Sequence, residues 1–185
     1  VDGVDVFYEV VPPVQMPAVM AGNPDVCGFV VAEPIGSKTI MDKTGDLMFL
    51  SGELWENHPC CTVVLQDDFL HSHTDAAFEF IDILVESGRF IKQNPGVCAG
   101  IALDFLDPQK SLGLNSALLE KVLKMPNGIR TDDMFPVAED LEKIQQYMTE
   151  KMGIGTLIDV DKFIDTRFAT SAIGRESAMN PSLWR

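Results

Sequence analysis

Positive charge is scarce in this sequence. Lys and Arg number 14 against 28 Asp and Glu, a formal net charge of -14 with histidine neutral. A surface so acidic repels phosphate backbones and excludes nucleic acid as a partner. It also gives no bulk field that draws anions in, so any anion site has to be local, built from aimed donors and helix ends. Long apolar runs are missing too: nothing approaches the roughly 20 residues that carry a helix across a bilayer. There are three histidines, which leaves little material for general-base chemistry. The sequence holds no nucleophile elbow, no P-loop, no G-x-G-x-x-G and no H-E-x-x-H. The expectation is a protein that is not an enzyme and carries no cofactor. The four cysteines, Cys27, Cys60, Cys61 and Cys98, form no C-x-x-C pair and are too sparse for a disulfide framework. Vicinal Cys60 and Cys61 open the apolar run "CTVVL", where they read as small hydrophobes at a strand start.

What is present is a globular composition, 46% hydrophobic and 23% charged. The chain starts at Val1 inside a strand-like run, without initiator Met or signal segment, which reads as a mature product or a fragment. "VDVFYEVV" (4–11) has strand composition, and Pro12 and Pro13 stop it. Proline suits a first helical position. A short helix is therefore expected from Val14 to Ala21, with Met16, Val19 and Met20 on one face and Gly22 as C-cap. "VCGFVVAEP" reads as a second strand, a helix follows over 36–43, and "DLMFLSG" and "CTVVLQ" read as a third and fourth strand. Strand alternating with helix is the signature of a parallel α/β sheet.

From Thr74 the period changes to that of helices. Ala77, Phe80, Ile81, Leu84, Gly88 and Ile91 make a core-facing stripe, with Thr74 as N-cap. "NPGVCAGIALDFLD", "NSALLEKVLKM" and "AEDLEKIQQYMTEKMG" read as further helices. The last of these turns Leu141, Ile144, Met148 and Met152 inward and ends on Gly153. "DVDKFIDTRFA" reads as one short final helix. The organisation expected is an α/β lobe over 1–60, a mostly helical part over 61–170, and a loose tail over 171–185.

The pieces "VVPPVQM", "GFVVAEP" and "ELWENHPCC", followed by the helix "DAAFEFIDILVESGRFI", resemble the substrate-binding proteins of bacterial ABC importers. The resemblance is to the nitrate, sulfonate and bicarbonate branch, allied to thiamine-precursor-binding proteins, and it covers about Val4 to Ala169. It implies a type II periplasmic-binding-protein-like fold, a parallel sheet with flanking helices in two lobes around an interlobe cleft. The 1–60 part falls in the second lobe and the rest returns to the first, whose N-terminal half lies outside this chain. The implied function is non-catalytic binding of a small oxyanion (nitrate, bicarbonate or a sulfonate), with an ABC permease at the membrane as partner. The implied location is periplasmic or extracellular, lipoprotein-anchored. A thiamine-precursor pyrimidine or other organic ligand is the alternative, and a thiamine-precursor biosynthesis enzyme a lesser one.

The resemblance also implies site residues. The Gln of P-P-x-Q-M and the His of W-x-x-H-P contact the anion in such relatives, and these are Gln15 and His58 here. Helix physics supports Gln15, since a helix start offers unpaired N–H groups and partial positive charge. The competing reading is a glutamine that only caps its own helix. An imidazole donates to an oxyanion when protonated, whereas a structural His58 would bond its own loop. Trp55 walls the pocket or packs in a core. Glu33 ends an apolar run and needs a partner, either backbone N–H groups or a cation at the cleft rim. The family has an aromatic after this Glu-Pro pair, and Ile35 stands there instead, which argues against strict nitrate specificity. A basic residue completes such sites, from Lys121, Lys124 or Arg130, with Lys124 the residue chosen. His71 and His73 of "HSH" do not share a helix face, and no acid or thiol is spaced to join them, so no metal site is expected.

Overall fold

A computed structural model describes residues 3–174 of the chain. Residues 175–185 of the expected loose tail lie outside the described residues, and its first residues, 171–173, are helical. Helices account for the regular structure: α1 (Met16–Gly22), α2 (Ile35–Met41), α3 (Ser51–Leu54), α4 (Asp67–Ser72), α5 (Thr74–Gln93), α6 (Pro95–Leu106), α7 (Ser116–Leu123), α8 (Ala138–Met152), α9 (Val160–Phe163) and α10 (Arg167–Ile173). A 3₁₀ turn, Pro13–Gln15, leads into α1.

The expected parallel α/β sheet is absent: among the described residues a single bridge position, Val6, is all that is strand-like. Apart from that bridge, the four segments read as strands form no ladder, the third runs into α3 at Ser51, and many of their apolar side chains are exposed. Val10 is 100% exposed, Val30 85%, Met48 91% and Val64 69%. The reason lies in what composition reports. β-branched and aromatic residues mark a segment that suits a pleated, covered surface, but a strand exists only when a neighbour takes up its N–H and C=O groups. None of the four segments receives that neighbour from another. A helix makes its hydrogen bonds within itself, so the helical half of the reading survives.

The chain divides into two compact units. One consists of Val1–Glu53 and Pro95–Ile129. Its core joins α6 and α7 through Ala99, Leu114, Leu118 and Leu119, flanked by Ala102, Leu103, Leu112 and Leu123. The connection between the two helices is tied by Asp107, whose buried carboxylate accepts the N–H groups of Leu112 at 3.0 Å and Leu114 at 3.1 Å. Those bonds, Leu112's first, hold its carboxyl below the ordinary carboxylate range against the upward push of burial. Gly113 takes φ +64° to let the loop close. Asn115 then caps α7, accepting the Leu118 N–H at 2.9 Å. Cys98 is buried in this unit while Cys27 is exposed. With Cys60 and Cys61 exposed too, the small-hydrophobe reading of the vicinal pair is corrected: their segment is not a covered strand.

The other unit consists of Leu54–Asn94 and Arg130–Arg185. Here α5 packs on α10, with Phe78 against Phe168 at 4.4 Å between ring centroids. Ala77, Val85, Phe168, Ala169 and Ala172 are buried. Gly88 is buried because the Thr131 backbone crosses α5 there, and the Thr131 hydroxyl donates to the Gly88 carbonyl at 2.9 Å. Thr74 is the first residue of α5 rather than its N-cap. The preceding segment is already helical as α4, so the Thr74 hydroxyl turns back to the Leu70 carbonyl. α8 does end on Gly153 in the left-handed region. Its stripe is only partly covered: Leu141 and Ile144 are half-buried, Met148 and Met152 exposed. The expected final helix is two, α9 and α10. Asp165 separates them, since its carboxylate accepts the Arg167 N–H and ion-pairs with the Arg167 guanidinium.

Candidate functional site

The candidate residues divide between the units. Gln15, Glu33 and Lys124 belong to the first, Trp55 and His58 to the second.

In the first unit, Gln15 closes the 3₁₀ turn begun by Pro13 and stands as N-cap of α1. Its side chain is exposed and makes no cap bond, so its amide does not serve its own helix. Glu33 lies just before the start of α2. Its carboxylate accepts the Ser37 N–H at 3.0 Å and the Ser37 hydroxyl at 3.1 Å. One helix N–H that has no partner within the helix is thereby satisfied, with negative charge at the helix's positive end. Of the two partners considered for Glu33, the backbone N–H is the one present. Lys124 is the C-cap residue of α7, and its ammonium pairs with Glu120 one turn back. That is a local helix ion pair.

In the second unit a tight loop presents His58. Asn57 takes φ +57°, a conformation that asparagine tolerates better than most residues. This reverses the chain, so that both the backbone N–H of His58 and its Nδ1 meet the Trp55 carbonyl, at 3.3 Å and 2.8 Å. A carbonyl only accepts, so Nδ1 carries a proton and Nε2 is the nitrogen left to face a ligand. The Trp55 and His58 rings lie 5.9 Å apart with 34° between their planes. The loop is held from a distant part of the chain: Arg130 donates to the Asn57 side-chain carbonyl and pairs with Asp133 at 3.3 Å.

A residue that sequence reasoning missed joins this group. The Lys143 ammonium lies over the Trp55 ring, 4.4 Å from its centroid, a cation–π contact. Trp55 therefore has both an imidazole and an ammonium beside its ring. Lys143 sits in a polar stretch of α8 that reads as solvated helix surface, and no local pattern links it to Trp55. His71 turns its Nδ1 to the Asp67 carbonyl within α4, at 2.7 Å. Among the described residues no grouping of three or more His, Cys, Asp or Glu side chains is placed to hold a metal ion.

Comparison with known proteins follows the same residues. The family model described as the NMT1-like family matches residues 2–102, a range that includes "VVPPVQM", "GFVVAEP" and "ELWENHPCC". The chain is 35% identical over 86 residues to the "Nitrate/nitrite binding protein NrtA" of Nostoc sp. (strain PCC 7120 / SAG 25.82 / UTEX 2576). That match covers 46% of this chain and 19% of the relative, so the chain spans about a fifth of the length of the curated relative it matches. No solved structure matches. With more than half of its residues under the family model, the chain belongs to the NMT1-like family.

Proposed function

We propose that this chain is part of the substrate-binding component of an ABC importer and contributes donors that recognise a small oxyanion. The observation that carries the reading is the Trp55–His58–Lys143 cluster. It places two nitrogen groups able to bear positive charge beside one aromatic wall, in a chain whose net charge otherwise repels anions. Similarity to a nitrate/nitrite binding protein points to the same ligand class. His58 donates from Nε2 when protonated, and Lys143 supplies a fixed positive charge, the role expected of Lys124 and performed there by no free ammonium. Gln15 offers an exposed amide of the same donor chemistry in the other unit. Glu33 acts by holding α2 in place rather than by touching the anion. Binding is non-catalytic. The ligand-bound form docks on a permease outside the cytoplasm.

The test is thermal melting against nitrate, nitrite, bicarbonate, methanesulfonate, taurine and a thiamine-precursor pyrimidine. A ligand that binds only the folded state raises the melting temperature. A rise with one of the anions that is lost in His58→Ala and in Lys143→Ala supports the reading. No rise with any anion overturns it, and a rise with the pyrimidine alone replaces the oxyanion by an organic ligand.

A further inference from the structure

Cys60 and Cys61 are exposed, and Cys61 directs its thiol at Cys60 with the two sulfurs 3.9 Å apart. They lie in residues 58–66, which form no helix or strand and so leave the pair free to adjust. Two thiols this close suggest a disulfide, but adjacency opposes one. Neighbouring Cα atoms are about 3.8 Å apart across a trans peptide, short of the roughly 4.4–6.8 Å that a disulfide favours. Closing the ring would strain it and leave it easily reduced. A bridging atom removes that conflict, because it spans the sulfurs instead of joining them. With bonds of about 2.3 Å to each sulfur, the length of a zinc–thiolate bond, and an angle of about 90–110°, the bridge holds its sulfurs roughly 3.3–3.8 Å apart. The two thiols stand just beyond that spacing.

The number of ligands selects the bridge. Divalent cations such as zinc are completed by three or four protein ligands, and among the described residues no third His, Cys, Asp or Glu joins the pair. We infer that Cys60 and Cys61 form a two-thiol site for a thiophilic centre that is complete with two sulfurs, a monosubstituted trivalent arsenical. In the reaction R–As(OH)₂ takes up both thiols and releases two waters. Two As–O bonds break, two As–S bonds form, each thiol proton leaves with a hydroxide, and arsenic stays trivalent. No net proton is expelled. That suits a pair in which the hydrogen bond with Cys61, then desolvation and the repulsion of a second thiolate, push the Cys60 thiol up from its ordinary value. A divalent cation would have to displace both protons. The site is independent of the oxyanion reading and uses none of its donors.

The probe is phenylarsine oxide, with intact-mass measurement of the adduct. The expected result is one phenylarsenic per chain, resistant to excess 2-mercaptoethanol and stripped by a dithiol. Cys60→Ser and Cys61→Ser should each lose the resistant adduct, and Cys27→Ser should keep it. Circular dichroism of each variant confirms that the helices are intact. An adduct that a monothiol strips from the wild type, or one that survives in Cys60→Ser or Cys61→Ser, overturns the site, as does the absence of any adduct.

Discussion

The Trp55 carbonyl holds His58 twice, by its backbone N–H at 3.3 Å and by Nδ1 at 2.8 Å. The second bond fixes the tautomer. A neutral His58 shows its ligand a lone pair on Nε2, and only the imidazolium shows an N–H.

The tautomer decides what Nε2 can offer each anion. Nitrate has no proton to give, so it needs an N–H there, whereas bicarbonate carries an O–H that can donate to a neutral Nε2. His58→Ala should weaken nitrate binding by about tenfold or more, the range for a lost hydrogen bond to a charged group. His58→Gln, which keeps a side-chain N–H donor, should lose less. Melting shifts with nitrate for the wild type and both variants check this. Equal nitrate shifts in all three proteins would remove His58 from the site.

Glu33 is read from sequence as needing backbone N–H groups or a cation at the cleft rim, and it bonds a backbone N–H at the start of α2. Both of its carboxylate oxygens engage Ser37 at the start of α2. Glu33→Ala removes a cap on a short helix and should cost about 1 kcal/mol, within the range for lost N-caps. Glu33→Gln keeps one acceptor and should cost less. Urea unfolding measures both, and anion affinity should stay within twofold of wild type. A large loss of affinity at unchanged stability would return Glu33 to the ligand.

How much of this was legible follows from the range of each interaction. The spans of α5, α6, α7 and α8 were readable because helix hydrogen bonds and the three-to-four spacing of apolar residues are local. Gly153 was readable as a C-cap because its left-handed φ is a property of one residue. The four apolar segments were not, because pairing needs a partner from elsewhere, and Val10 and Val30 look the same in sequence whether or not one arrives. Thr74 was misplaced because "DDFLHS" before it is also helical. In the candidate site, Trp55 and His58 could be read from one motif. The Lys143 contact joins residues far apart in the chain and left no local trace.

Asp107 ties the α6–α7 connection through its charge, and acid should release it. The fold holds this carboxyl below its ordinary value. The ionised form therefore stabilises the native state above about pH 4, and the contribution is lost as the pH falls through the lowered native value. Asp107→Asn should be less stable than wild type at pH 7, and the gap should close on acidification. Thermal melts of both proteins from pH 7 to about 3 test this. A gap that does not change with pH would show that the side chain's shape, rather than its charge, holds the loop.

Two helical glycines should respond to the same substitution with opposite signs. At Gly88 an added Cβ would overlap the Thr131 carbonyl oxygen and the Met134 methyl. The backbone cannot yield as a flexible side chain would, so Gly88→Ala should cost about 2 kcal/mol, as overpacking does. At Gly100 in α6 nothing lies within 4 Å of the added Cβ. Gly100→Ala should then gain about 0.5–1 kcal/mol from helix propensity and from a less flexible unfolded chain. Urea unfolding of the pair isolates the close approach of α5 and Thr131 from helix propensity, because the propensity gain is common to both sites. Equal stabilisation at both would mean that Thr131 does not cross α5 at Gly88 in solution.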